Sequence, residues 1–327
     1  MINFMPTCIC KRSSVFIWLV WIGLVTSTCR SPTTESPIPT PTVRVLPQSI
    51  TFFALADWGV GGLFHQQAVA DQLNQFAGSL SPSFLVFAGD NFYTDGVQSI
   101  SDPKWQLNFE RVYTGSYLPQ AFAMALGNHD YQGNVQAQLD YGLKHPRWQL
   151  PDRYYTKVFA NNGVTVRLVI LDTNPFLTIY RQNPATYPDI LQNTDRQLRW
   201  ADSVLTHSKE TCTIVVGHHP VYSAGADHGD QPELIDRLLP LLQKHKAPVY
   251  LSGHSHTLQH LPVGLTDFII SGGGGAPLGS IADSTRCAFG RASGGFAVVS
   301  VNADSLRLSF VNSSGQVLYQ YGKRLIQ

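Results

Sequence analysis

Five short apolar runs in this chain each end in a residue that can bind a metal ion. TFFALA runs into Asp57, FLVFAG into Asp90 and FAMALG into Asn128 and His129. TIVVG runs into His218 and His219, and PVYLSG into His254, with His256 two residues further on. Four of the five runs reach that residue through a glycine, which lets the backbone turn sharply and approach a ligand closely. Carboxylate, amide and imidazole donors in this mixture suit hard and borderline metal ions, and a metal so held can activate water. Each residue alone has an ordinary reading. An Asp after a strand starts a turn or caps a helix, and a lone His at a strand end is usually hydrogen-bonded. Five such tips in one chain are more than turn chemistry accounts for.

The tips need strands behind them. Residues 51–56, 84–88, 122–126, 213–216 and 248–251 are continuous apolar runs bounded by turn residues, the pattern of buried strands. Between the first two, Ala68, Val69, Leu73 and Phe76 recur at helical spacing, so 65–76 completes a β-α-β unit. Residues 195–205 and 233–243 read as further helices, and 165–171 as another strand. Residues 267–271, 295–301, 305–311 and 317–321 read as a strand-turn-strand series. The mixture predicts an α/β domain of layered sheets with helices outside. In open sheets of this class, ligands bind beyond the carboxyl ends of the strands.

The motifs also match a family. Asp57-Trp58-Gly59, Gly89-Asp90-Asn91-Phe92-Tyr93, Gly127-Asn128-His129-Asp130, Val216-Gly217-His218 and Gly253-His254-Ser255-His256 stand in the order of the calcineurin-like metallophosphoesterases. Most members have Asp-x-His in the first motif and Gly-Asp-x-x-Asp in the second. Here Gly59 replaces that His and Tyr93 that second Asp, so the chain resembles the purple acid phosphatases. The similarity runs from about residue 51 to 261. It is nearest to the small, tartrate-resistant mammalian type, because no separate domain fits between the proline-rich segment and Thr51. The resemblance implies a β-sandwich of two mixed sheets flanked by helices, with a dimetal site at the strand C-terminal ends.

By the same resemblance, Asp57, Asp90, Tyr93 and His256 would hold Fe³⁺. Asp90, Asn128, His218 and His254 would hold a second metal, Fe²⁺, Zn²⁺ or Mn²⁺, with Asp90 bridging the two. The donor types agree, since carboxylate and phenolate suit ferric iron while imidazole and amide suit a borderline divalent ion. The metals bring five positive charges; Asp57, Asp90, the Tyr93 phenolate and a bridging hydroxide remove four. The remaining charge of about +1 attracts a phosphate dianion yet lets product depart. The implied reaction is hydrolysis of phosphate monoesters, of small molecules or phosphoproteins, by a metal-bridging hydroxide. His129 would contact phosphate or protonate the leaving group, and His228, in His228-Gly229, would be a second acid/base. Asn91 and His219 would face the pocket, and Asp130 would orient the His129 turn. Two other readings use the same residues: a phosphodiesterase or nucleotide pyrophosphatase on this metal frame, or a non-catalytic phosphate- or metal-binding surface lipoprotein.

The rest of the chain sets bounds. Residues 272–275 are four glycines, but no Lys-Ser/Thr follows and no helix opens, which argues for a turn near the site rim rather than a nucleotide loop. Trp105, Tyr113, Trp148 and Trp200 read as core. A 327-residue chain with 43% hydrophobic residues can bury a large core. Lys+Arg 23 against Asp+Glu 22 leaves a formal charge of +1, which gives no dominant basic surface for nucleic acid. Cys212 and Cys287 are the only cysteines of the domain at 48–327, and an exported protein could pair them.

Lys11 and Arg12 precede an apolar run at 15–25, far shorter than the ~20 residues a membrane-spanning helix needs. A basic start and short apolar stretch make 1–29 a signal segment. Ending at Cys29, it resembles a bacterial lipoprotein signal, which implies an exported protein anchored to a membrane through lipid on that cysteine; an ordinary cleaved signal, giving a periplasmic or extracellular protein, or an uncleaved anchor is the other reading. Residues 30–47 are rich in Pro and Thr and read as an extended tether. Replacing Cys29 with Ser should move the protein from the membrane fraction to a soluble or uncleaved form. Fractionation that stays unchanged, with a mature chain starting elsewhere, would refute lipidation.

Overall fold

The computed structural model describes residues 42–325. The signal segment, Cys29 and most of the tether lie outside these residues. In chain order the strands are β1 (Ile50–Leu55), β2 (Phe84–Ala88), β3 (Phe122–Ala125), β4 (Trp148–Gln149), β5 (Tyr155–Asn161), β6 (Val164–Ile170) and β7 (Cys212–Val216). They continue with β8 (Val249–Ser252), β9 (Leu258–Val263), β10 (Thr266–Ser271), β11 (Phe289–Arg291), β12 (Gly295–Val301), β13 (Ser305–Asn312) and β14 (Val317–Arg324). One sheet has the order β14-β13-β12-β1-β2-β3-β4 and the other β11-β9-β10-β8-β7-β6-β5. Both are mixed. β1 to β4 run parallel, as do β6, β7, β8 and β10, with antiparallel strands at the flanks. Helices α1 (Gln66–Leu80), α2 (Val135–Lys144), α3 (Thr178–Arg181), α4 (Thr194–His207), α5 (Pro232–Arg237) and α6 (Leu239–Lys244) connect them.

Burial explains why these runs are strands. β1 and β2 are buried at every position, as expected for parallel strands covered on both faces. The edge strand β14 alternates between half-buried and exposed positions over most of its length. Phe84 stacks between Phe52 and Phe159, with ring centroids at 4.7 and 3.8 Å, and so ties the first sheet to the second. A second aromatic cluster gathers round Trp58, with Phe87 at 4.9 Å, Tyr113 at 5.4 Å and Trp148 at 6.3 Å. Trp105, Tyr113 and Trp148 are buried and Trp200 is half-buried against the core, as the sequence predicts.

The differences from the sequence reading have local causes. The run at 233–243 is two helices rather than one, because Pro240 supplies no N–H to continue α5 and instead sits in the first turn of α6. β5 escapes an apolar-run criterion, being an edge strand with mostly half-exposed residues. Its hairpin to β6 turns on Asn162-Gly163, both at positive φ (53° and 75°), a primed-turn pair. β9 is broken up by Gln259 and His260, which are wholly buried. His260 is satisfied there by Asp267 at 3.0 Å and the Tyr319 hydroxyl at 2.9 Å. Cys212, buried in β7, and the half-buried Cys287 are both free thiols. Among the described residues no helix is long and apolar enough to cross a membrane.

Candidate active site

The carboxyl ends of β1, β2 and β3 meet those of β7 and β8, and the tip residues converge there. The Tyr93 hydroxyl lies 2.8 Å from Asp90 Oδ2, 3.2 Å from Asp57 Oδ1 and 3.2 Å from His256 Nε2. His256 Nε2 is itself 3.6 Å from Asp57 Oδ1. Four donor atoms from three loops thus crowd one point. Beside them, His218 Nε2 is 3.2 Å from Asn128 Oδ1 and 3.4 Å from Asp90 Oδ2. The His254 ring stands 5.2 Å from that of His218. Asp90 Oδ2 therefore belongs to both groups, and the other oxygen, Oδ1, accepts from the His129 amide at 2.9 Å.

The imidazoles are oriented for ligation. His218 Nδ1 donates to the Ala88 carbonyl at 2.9 Å and His256 Nδ1 to that of Pro277 at 2.7 Å. Each bond leaves Nε2 facing the site, the arrangement by which an outer partner fixes a metal-binding histidine.

The backbone is bent to bring these atoms together. Asp57, Asp90 and His254 have φ of 59°, 51° and 67°. Left-handed geometry costs roughly 1–2 kcal/mol at a non-glycine residue. Hydrogen bonds to the carboxylates, about 1.5–3 kcal/mol each, offset it: Asp57 Oδ2 accepts from the His254 amide at 2.9 Å. The glycine run 272–275 completes the clamp. It is buried, not on the rim; Gly274 donates to the Ala56 carbonyl at 3.0 Å and Ala276 to that of Asp57 at 2.8 Å.

Two glycines are there for close approach. A Cβ on Gly127 would lie 2.1 Å from Asp90 Oδ1, and one on Gly59 only 1.8 Å from the Asn91 carbonyl oxygen. The Gly59 carbonyl in turn accepts from the Tyr93 amide at 2.8 Å, so the residue that replaces the usual histidine also seats the tyrosine.

Electrostatics shows what the site lacks when only protein is present. Burial raises the Asp57 carboxyl to about 6. Burial also raises the Tyr93 phenol, and Asp90 and Asp57 push it higher. Burial opposes charge on His218, yet Asp90 outweighs it and lifts the imidazole to about 9. The proton on His218 thus offsets carboxylate charge while that on Tyr93 keeps the phenol from adding more, and a cation would displace both. The donor chemistry and spacing fit two metal ions.

Two residues expected at the pocket face elsewhere. Asn91 is wholly buried; its amide donates to the Ala125 carbonyl at 2.8 Å and its oxygen accepts from Trp58 Nε1 at 3.2 Å. It locks the β1 and β2 tips rather than reaching substrate. His219 is also wholly buried. One of its ring nitrogens lies within 4.8 Å of a ring nitrogen of His218 and of His254, but Nδ1 meets the Thr173 hydroxyl at 2.9 Å and Nε2 that of Tyr180 at 3.1 Å. It packs beside His218 and His254, both ring nitrogens engaged by hydroxyls. Thr173 was reachable from sequence by the same rule, since it lies just past the tip of β6. Asp130 accepts from the amides of Gly127 (2.7 Å) and Asn91 (3.1 Å) and from Gln138 Nε2 (2.9 Å). It ties two tip loops together. His129 is partly exposed, with Nδ1 on the Thr94 carbonyl and Nε2 3.9 Å from Asp90 Oδ2. The half-buried His228 ring is 4.0 Å from that of His254.

A profile of the calcineurin-like phosphoesterases matches residues 50–258, well over half of the chain. The chain belongs to that family. Within it the relatives are purple acid phosphatases. Purple acid phosphatase 7 of Arabidopsis thaliana is 36% identical over 234 residues, 69% of this chain and 70% of the relative. Tartrate-resistant acid phosphatase type 5 of Oryctolagus cuniculus is 33% identical over 313 residues, 86% of this chain and 90% of the relative. Among solved structures, GAP50, the anchor in the inner membrane complex of Plasmodium, is similar with a TM-score of 0.74 and 27% identity, covering 85% of this chain and 90% of its own. Two mixed sheets flanked by helices are the metallophosphoesterase fold.

The close approach at Gly127 yields a direct test. Gly127→Ala should displace the Asp90 carboxylate and lower metal content, with the fold retained by circular dichroism. Wild-type metal stoichiometry in the variant would refute the assigned role of that contact.

Proposed function

We propose that this protein is an acid phosphatase that hydrolyses phosphate monoesters at a dinuclear centre of Fe³⁺ and a divalent iron, zinc or manganese ion. The observation that carries the reading is the meeting of Tyr93 with Asp57, Asp90 and His256 beside the His218–Asn128 pair, with Asp90 common to both. Asp57, Asp90, Tyr93 and His256 would hold the ferric ion; Asp90, Asn128, His218 and His254 would hold the divalent one. When bound, the pair supplies positive charge for a phosphate dianion and a water acidic enough to attack phosphorus.

The chain's own groups do the rest. His129 Nδ1 is engaged by the Thr94 carbonyl, so Nε2 carries whatever exchange occurs with substrate. From there it can donate to a phosphate oxygen or hand a proton to the departing alkoxide. His228 stands beside His254; burial lowers its pKa and His256 and His218 lower it further, favouring a neutral ring that can accept a proton. Burial of Asp57, Asp90 and His218 keeps bulk water from the back of the site, which strengthens every charge interaction in front of it. The rival reading, a non-catalytic binding protein, calls for an incomplete donor set, whereas every motif position is filled here and Asp90 is shared by both groups. Hydrolysis of p-nitrophenyl phosphate in preference to its bis ester separates a monoesterase from a phosphodiesterase. The N-terminal segment supports export and attachment through Cys29 as part of the same proposal.

Removing the proton donor should cost rate but not metal. His129→Ala is expected to lose roughly 10²–10⁴-fold, and less with p-nitrophenyl phosphate than with alkyl phosphates, because a good leaving group needs no proton. Equal losses on both would assign His129 to phosphate binding instead.

Tyr93 offers a spectroscopic check. A phenolate on ferric iron absorbs visible light, so the oxidised protein should be purple or pink. Tyr93→Phe, reconstituted with metal, should lose the colour and keep measurable activity, since the phenol neither attacks nor protonates. A variant with the wild-type visible band would return the protein to a generic metallophosphoesterase.

A further inference from the structure

One side of the site is walled by two loops that pair with each other. Ala226 donates to the Ser280 carbonyl at 2.9 Å and Ala282 to that of Ala224 at 2.8 Å. They enclose a small cleft of about 70 Å³, lined among others by His256, His228, Asp227, Pro277 and Leu278. The cleft therefore opens at once on a residue of the first metal group and on the second acid/base. On the phosphatase reading, this is the cleft next to the residues that would hold the phosphoryl group, and so a place for the leaving alcohol.

Asp227 is the unusual member of this lining. It is exposed, and among the described residues its carboxylate makes no hydrogen bond or ion pair. Its Oδ2 comes within 3.5 Å of the Cβ position on Gly279, whose amide donates to the His256 carbonyl at 3.0 Å. The carboxylate thus stands close to the metal-site loop but is neither a ligand nor part of a structural network. The neighbouring Pro277 and the 44% exposed Leu278 add apolar surface and no compensating charge.

We infer that Asp227 is a specificity-determining residue, which favours phosphate monoesters whose leaving group carries a cationic amine over those whose leaving group carries a carboxylate. The inference rests on the phosphatase reading above. An unpaired, exposed carboxylate attracts one sign and repels the other; for a leaving-group charge taken to stand about 6 Å away, even full water screening separates the two by roughly tenfold. The effect is Coulombic, so salt reduces it.

The test compares O-phosphoethanolamine, glycerol 2-phosphate and phosphoglycolate on the metal-reconstituted protein at about pH 6, where ammonium and carboxylate are both charged. Wild type should have the higher kcat/KM for phosphoethanolamine than for phosphoglycolate, with the ratio shrinking at high ionic strength. Asp227→Asn should lower that ratio roughly tenfold, mainly through KM, and Asp227→Lys should invert it. A ratio that stays within twofold in Asp227→Asn, while glycerol 2-phosphate is still turned over, overturns this assignment alone. Failure of wild type to hydrolyse any of the three overturns the phosphatase reading and this inference with it.

Discussion

Two carboxylates and an imidazole lie within 4.8 Å of one another, with a phenol no more than 3.2 Å from each, and the two carboxylates are buried. That crowding is the constraint on which the strand-tip loops depend. Buried like charges at such range cannot persist unless protons or cations balance them. In the protein alone His218 carries the balancing positive charge and the phenol keeps its proton, adding no further negative charge. A cation takes the place of both protons only if every donor already points inward, because the loops cannot spend binding energy on rearrangement. The two carbonyl bonds to His218 and His256 and the amide bonds to Asp57 and Asp90 provide this orientation in advance.

The loops are not independent. Trp58 bonds to Asn91, Asn91 to the Ala125 carbonyl and to Asp130, and Asp130 to Gly127 and Gln138. This buried chain links the tips of β1, β2 and β3 to α2. Each member is satisfied by the next, and a fully satisfied buried network is rigid as well as specific. The aromatic cluster round Trp58 anchors the same loop from the apolar side. Asn91 therefore serves the site as a brace between tips.

Much of this was legible in the sequence because strand tips are local. An apolar run, a glycine and a donor are neighbours in the chain, so Asp57, Asp90, Asn128, His218 and His254 could be found without knowing how the strands assemble. The fold class followed from the same runs. What was hidden depends on partners distant in sequence. Nothing near Asn91 or His219 says that their side chains turn inward, since the partners are Trp58 and Ala125 for one and Thr173 and Tyr180 for the other. β9 was hidden because its buried polar residues imitate a loop; His260 is satisfied by Asp267 and Tyr319, far from it in pattern though not in space. β5 was hidden because one side faces solvent, although its Asn162-Gly163 turn was in plain view.

The contact between Gly59 and Asn91 bears on how such a site could have arisen. With the two backbones this close, position 59 has no room for any side chain, and the histidine found there in most of the family cannot return by one substitution. The Asn91 loop would first have to withdraw, which would unseat Tyr93 through its bond to the Gly59 carbonyl. In this backbone a side chain at position 59 and a seated Tyr93 therefore exclude each other. Any change at 59 has to be accompanied by a change in the path of the Asn91 loop, so the two motifs can vary only together.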